Sequence, residues 1–196
     1  MTFENNYKMH SKEYIFSDHT ILNNKREKIF RKLIAKDFDK KNNESLKNIP
    51  FSDLSLFDYY YKHSNNKPSV ISNDNENYKI TIVNGIVKKF KDDKIEVRNI
   101  IDSDYNKILE QYENNLDDLV IDFNKIFLNS GMFIDIKANA KISLKLIHET
   151  DQNLTIFQNN FLNFQKNCKV QLVDEFNLSH NTINNINYNI SVNEGA

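Results

Sequence analysis

Four short stretches of the chain carry side chains capable of chemistry: His148-Glu149, Asp174-Glu175, His180 and Cys168. The first three would offer nitrogen and oxygen donors to a divalent cation. A metal site needs three or four donors converging on one point. Convergence here depends on an internal repeat. In steps of twenty-eight residues, Ile136–Leu144 lies over Phe164–Leu172, and the next step lands on Val192–Ala196. In that register His148 falls over Phe176 and Glu149 over Asn177, so the histidine does not stack on an acid. Cys168 is the only thiol, and its repeat partners are Ala140 and Ala196. The position asks for a small residue, and a lone buried cysteine behaves as a small hydrophobe.

The other candidates have plain structural readings. Asp117, Asp118 and Asp122 crowd the start of a predicted helix, where the helix dipole favours them. Tyr59-Tyr60-Tyr61 could stack on bases or sugars, but a net charge of −1 supplies no basic patch for nucleic acid. His10, His19 and His63 have no metal-like spacing and read as surface residues. With 3 glycines in the chain, no phosphate-cradling loop or nucleophile elbow can be hidden. No catalytic, cofactor-binding or metal-binding residue is therefore assigned, and the expectation is a protein that is not an enzyme.

Composition sets the frame for these residues. The chain has 196 residues, 39% of them hydrophobic and 27% charged, which suits a globular protein. No apolar run is long enough to cross a membrane, and Met1–Asn6 has no signal-peptide pattern, so a cytoplasmic location is expected. One cysteine excludes an internal disulfide.

The first seventeen residues show no period and read as a loose arm. From Asp18 the pattern turns helical. Leu22, Ile29, Phe30, Leu33, Ile34 and Phe38 make an apolar stripe opposite Lys25, Arg26, Lys28, Arg31, Lys32 and Lys36. Asn42–Pro50 reads as a linker, Ser52-Asp53 as the cap of a short helix, and His63–Asn77 as a flexible loop. Tyr78–Val83 alternates as a strand, and Asn84-Gly85 predicts a hairpin returning along Ile86–Phe90. Lys94–Ile100 is a third strand. Two helices follow, one through Tyr105, Ile108, Leu109 and Tyr112, the other from Leu119 to Leu128, stopped by Asn129-Ser130-Gly131. Strands are predicted over Met132–Ile136, Ile142–Ile147, Leu154–Phe157, Phe161–Phe164, Val170–Phe176 and, in pieces, Ile183–Val192.

A strand-built period of this size predicts stacked rungs. Asn139, Asn167 and Gly195 precede the small residue of each copy and suit the left-handed backbone of a corner. The expected fold is an α+β N-terminal region followed by the first rungs of a right-handed parallel β-helix. Residues 1–72 form a mostly helical region, 73–131 a small α/β region with a hairpin and helices, and 132–196 the start of the β-helix core.

Three segments carry a resemblance. Tyr78–Ile86, with its Val-Asn-Gly turn, Phe127–Ile136 and Leu162–Phe176 resemble the preceding strand, the β-helix entrance and the first full rung of the SufB/SufD family. These are scaffold subunits of the SUF iron–sulfur cluster assembly system, and the region before the β-helix is closer to the SufD branch. The match runs from about Tyr78 to Ala196. Lys25-Arg26-Glu27-Lys28 is a weaker echo, with Ile29-Phe30-Arg31-Lys32 where the family continues with aromatic residues. The resemblance implies a non-catalytic scaffold partnered with SufB and the ATPase SufC, with the iron–sulfur cluster a property of the complex. Family members are roughly twice this length. The regions that bind SufC and complete the SufB contact have no counterpart here, so the resemblance implies an incomplete chain and transfers no site residue. Two rivals stand beside it. A carbohydrate-active β-helix enzyme would need acidic or basic residues stacked along one face of several rungs. A purely structural β-solenoid interaction module would need neither.

Overall fold

The structure, a computed structural model, describes residues 7–8, 18–35, 69–102, 105–113, 119–151, 154–179 and 182–196. Nine strands and three helices are described: β1 (Ile71–Asp74), β2 (Asn77–Val83), β3 (Phe90–Lys91), β4 (Ile95–Asn99), β5 (Ser130–Ile136), β6 (Lys141–Glu149), β7 (Thr155–Phe164), β8 (Lys169–Asn177) and β9 (Ile183–Val192), with α1 (Thr20–Ala35), α2 (Tyr105–Glu113) and α3 (Leu119–Phe127). A 3-10 turn covers Ile100–Asp102. The strands form two sheets, ordered β1-β2-β6-β8 and β3-β4-β5-β7-β9.

The repeat is real as a ladder register. Strands β6 and β8 pair in parallel, with Ile142 opposite Val170 and Leu144 opposite Leu172. Strands β5, β7 and β9 pair in parallel with the same 28-residue offset, as between Asn163 and Asp135 or Asn167 and Asn139. Ile142 and Leu144 are buried, while Val170 and Leu172 are half-buried and packed against the same core. The corners also match expectation, with φ of 62° at Asn139, 59° at Asn167 and 74° at Gly195.

The architecture nonetheless differs from the expected parallel β-helix. Both sheets are mixed, and no closed solenoid forms. Strands β1 and β2 run antiparallel, as do β3, β4 and β5, so each sheet begins with local antiparallel pairing. Within residues 71–99 the antiparallel pairs β1–β2 and β3–β4 join neighbours close in sequence, which cost less loop entropy to bring together, while β2 and β4 also take distant partners, β6 and β5. The repeat sets the register of the later strands without coiling the earlier ones.

Between the sheets lies the main core. Ile134, Ile136 and Leu162 face Ile80, Ile82, Leu144 and Leu146, with Cys168 and Ala140 at the corner. Strict alternation in β6 sends Ile142, Leu144, Leu146 and His148 inward. Burying each aliphatic chain contributes about 1.5–3 kcal/mol. Strand β7 is instead buried on both faces from Thr155 to Asn160, because α3 covers its outer side. There the Phe127 and Phe157 rings lie 5.2 Å apart. Helix α1 packs outside α3, with Leu33, Phe30 and Tyr7 in one cluster and the Tyr7 and Phe30 rings stacked at 3.9 Å.

Several local expectations need correction. Arg26 is not on the exposed basic face; it is 1% exposed, hydrogen-bonded to Asn23 and Tyr112. Its charge is taken inward by polar partners, while Ile34 of the expected apolar stripe is 43% exposed. The loop expected through Asn77 contains β1 and the first residue of β2; its earlier part lies outside the described residues, as do Phe38, Ser52-Asp53 and Tyr59–Tyr61. After Asn84-Gly85 the return strand fails after one bridge, Val83 to Ile86. The chain crosses to the other sheet, where Phe90 pairs with Val97. Gly131 is not a helix stop but part of β5, and a Cβ there would meet the Asn159 carbonyl oxygen at 2.1 Å. It is glycine because the neighbouring backbone comes so close. The two strands expected over residues 154–164 are one, β7. No described helix is long and apolar enough to cross a membrane.

Candidate functional site

Two places gather polar side chains. The first lies inside, where the core between the sheets changes character. On β6 the inward row ends in His148, 3% exposed. Its ladder neighbour is Phe176, whose ring stacks on the imidazole at 4.8 Å. The acid comes from the diagonal position, two residues earlier on β8. His148 Nε2 lies 3.0 Å from Asp174 Oδ1. From the opposite sheet, Tyr188 on β9 donates its hydroxyl to Asp174 Oδ2 at 2.5 Å and lies 3.4 Å from His148 Nε2. Burial, then the Asp174 hydrogen bond and charge, push the Tyr188 hydroxyl far above its ordinary range. Its proton is held on the phenol.

The register is as read, with His148 stacked on Phe176 and not on an acid; the contact with Asp174 comes instead from the diagonal, where side chains reach one another across a ladder. Glu149 and Glu175 take no part. Glu175 pairs instead with Lys145 at 2.7 Å on the outside, and His180 lies outside the described residues. Among the described residues no group of three or more His, Cys, Asp or Glu side chains could hold a metal ion. Cys168 is 1% exposed in the apolar core, and burial pushes its thiol up. Asp122 is buried beside Lys32, 3.6 Å away. His19, expected at the surface, packs its ring on Tyr105 at 4.1 Å.

The second place is the outer face of the five-stranded sheet beyond the helices. Register puts Arg98, Phe133, Phe161 and Asn189 in one row across four strands, and Glu96, Asp135, Asn163 and Ser191 in the next. The Phe133 and Phe161 rings stack at 4.3 Å, with the Arg98 guanidinium 5.9 Å from the Phe133 centroid. All of these residues except Glu96 line a groove of about 710 Å³, with Glu110 of α2 on one wall. Asp135 accepts from Lys137 Nζ at 2.5 Å, Asn163 Nδ2 at 2.6 Å and Gln165 Nε2 at 2.8 Å. Burial would raise the Asp135 carboxyl, but these three donors outweigh it and hold the group below its usual range. Glu96 is also held down, a desolvation penalty being outweighed by Lys91 at 3.4 Å, Arg98 at 3.4 Å and Lys137 at 3.5 Å. Both carboxylates are ionised and occupied.

Neither place could be assembled from sequence spacing alone. Tyr188 stands 40 residues from His148 and in the other sheet. The signal available for the outer face was the twenty-eight-residue step itself, which aligns Phe133 with Phe161 and Asp135 with Asn163. No family model matches this chain, and neither does any curated protein or any solved structure.

Proposed function

We propose that the chain is a non-catalytic scaffold subunit of iron–sulfur cluster assembly, SufD-like, working with SufB and the ATPase SufC. One observation carries the reading: the segments on which the resemblance rests pack together as a unit. The Asn84-Gly85 turn meets the start of β5, where the Ser130 hydroxyl donates to the Gly85 carbonyl. Asn84 is fixed to the end of β6 by its backbone N–H to the Glu149 carbonyl at 2.9 Å and its side chain to Asp151 at 2.8 Å. Residues 162–164 then stack on 134–136, and 169–176 on 141–148, in unbroken register. A scaffold needs such a rigid ladder and no chemistry of its own.

The donors of this chain alone do not suit an iron–sulfur cluster, which is held chiefly by several thiolates. The chain has 1 cysteine, buried and with its thiol pushed toward the neutral form. Cluster binding on this reading belongs to the assembled complex. Affinity purification from cells expressing the chain from its natural gene together with SufB and SufC tests it. All three should elute together; SufB and SufC recovered as a pair, without this chain, would remove the reading.

A second reading has one observation in its favour. On the outer face Glu96 and Asp135 are ladder neighbours, and Asp135 lines the groove with Arg98 beside the Phe133–Phe161 aromatic pair, charges and rings of the kind a carbohydrate-active protein presents. Glycoside hydrolysis needs one carboxyl kept protonated as general acid. Both carboxylates here are held ionised, so the groove suits saccharide binding better than hydrolysis. Retention of the chain on polysaccharide resins, lost on Asn163→Ala, would favour this second reading.

A further inference from the structure

We propose that the polar end of the space between the sheets is a binding site for a small cluster of ordered water molecules, seated against Gln158 and Asn160. Strand β7 sends Gln158 and Asn160 inward by the alternation that sends Leu162 into the apolar core. Gln158 is 1% exposed and Asn160 0%. Neither Nε2 nor Oε1 of Gln158 has a protein partner, and neither Nδ2 nor Oδ1 of Asn160 makes a regular hydrogen bond. The one protein partner of the Asn160 amide is a long hydrogen bond to the Tyr188 hydroxyl. Through Tyr188 this amide adjoins the His148–Asp174 pair. Native interiors keep few orphaned polar groups, because each pays the full penalty of leaving water. Gln158, orphaned at both ends, and Asn160, held only by the Tyr188 hydroxyl, lie on the same face of one strand and therefore mark a site that something fills.

The pattern of orphans identifies the chemistry. The amide nitrogens need an acceptor and the amide oxygens need a donor. A bare cation offers nothing to the N–H groups, and a simple anion offers nothing to the carbonyl oxygens. The occupant both donates and accepts and is small enough to lie between packed sheets. Water meets both conditions, and a buried water normally makes two to four such bonds. The Asp174 side chain, linked to Asn160 through Tyr188, is 23% exposed. This inference does not depend on the proposed function.

The test uses the full chain in solution. Water-selective nuclear Overhauser measurements should show transfer from long-lived water to the side-chain amide protons of Gln158 and Asn160. Asn160→Leu should lower the thermal midpoint by about 2–6 °C, because it strands the remaining waters. Gln158→Met should do the same and serves where the first variant does not fold. A dry site predicts the opposite: removing an orphaned amide then stabilises. Absence of water transfer to both amides, or a raised midpoint in either variant, would overturn the proposal.

Discussion

Toward the corner marked by Asn139 and Asn167, the space between the sheets is filled by Ile136, Ile142, Leu144, Leu162 and Cys168. Toward the other end the same strands bring His148, Gln158, Asn160, Asp174 and Tyr188 into the same interior. Register and alternation are identical in the two halves. What differs is how each half is stabilised: the first by removing apolar surface from water, the second by the His148–Asp174 and Tyr188–Asp174 contacts between groups otherwise costly to bury. A ladder can thus keep its geometry while its contents change, because backbone hydrogen bonds set the spacing and side chains decide only what the spacing is used for.

The comparison is broken most severely from the apolar side. Leu144→Ala should cost about 3 kcal/mol, within the range for a buried leucine that leaves a cavity; Leu144 is 0% exposed. Urea denaturation followed by circular dichroism measures it, and a loss below about 1 kcal/mol would mean that the core can collapse around the gap.

Charge on the outer face comes next. The folded-state value of Asp135 is depressed, so its stabilising contribution is present above the ordinary carboxylate range. It is lost as pH falls through the folded value. Asp135→Asn should cost about 1–2 kcal/mol at neutral pH, typical of a hydrogen-bonded charge. The wild type and variant should converge in acid. A difference that is independent of pH would place the effect in packing instead.

Cys168→Ala should change stability by only about 1 kcal/mol, as for a small core substitution. In the native protein the thiol should react with iodoacetamide far more slowly than in urea. Rapid native alkylation would contradict both its burial and its raised thiol. The smallest effect belongs to the corners. Asn139→Gly should be neutral within about 0.5 kcal/mol, since both residues accept positive φ, while Asn139→Val should cost at least about 1 kcal/mol.

How much of this was legible follows from the same contrast. The spacing of the ladders could be read because apolar alternation and a small residue recur together at Ala140 and Cys168. The left-handed corners could be read because asparagine and glycine are the residues that tolerate them. The His148–Asp174–Tyr188 contact could not, since it runs diagonally on one sheet and then across to the other. Nor could the burial of Arg26, which depends on Tyr112 from a different helix. The first rungs of a parallel β-helix were the natural extrapolation of the repeat. That extrapolation failed where β1 and β3 found antiparallel partners nearby and β4 paired antiparallel with the more distant β5, a choice set by competition between pairings and invisible in any one segment.

The corner asparagines have a consequence for how the chain finds its register. Parallel strands joined over long separations can pair one residue out of step, and such pairings are slow to form and to correct. At each corner the left-handed position falls on Asn139, Asn167 or Gly195, and the residues on either side are Ala138 and Ala140, Lys166 and Cys168, Glu194 and Ala196. A slip by one would force one of these into left-handed backbone, at roughly 1–2 kcal/mol per corner. It would also pull the Asn167 amide away from Asn139, 3.5 Å beneath it. The corners therefore act as proofreading marks: a misaligned strand is penalised at its own turn as well as by what it places in the core.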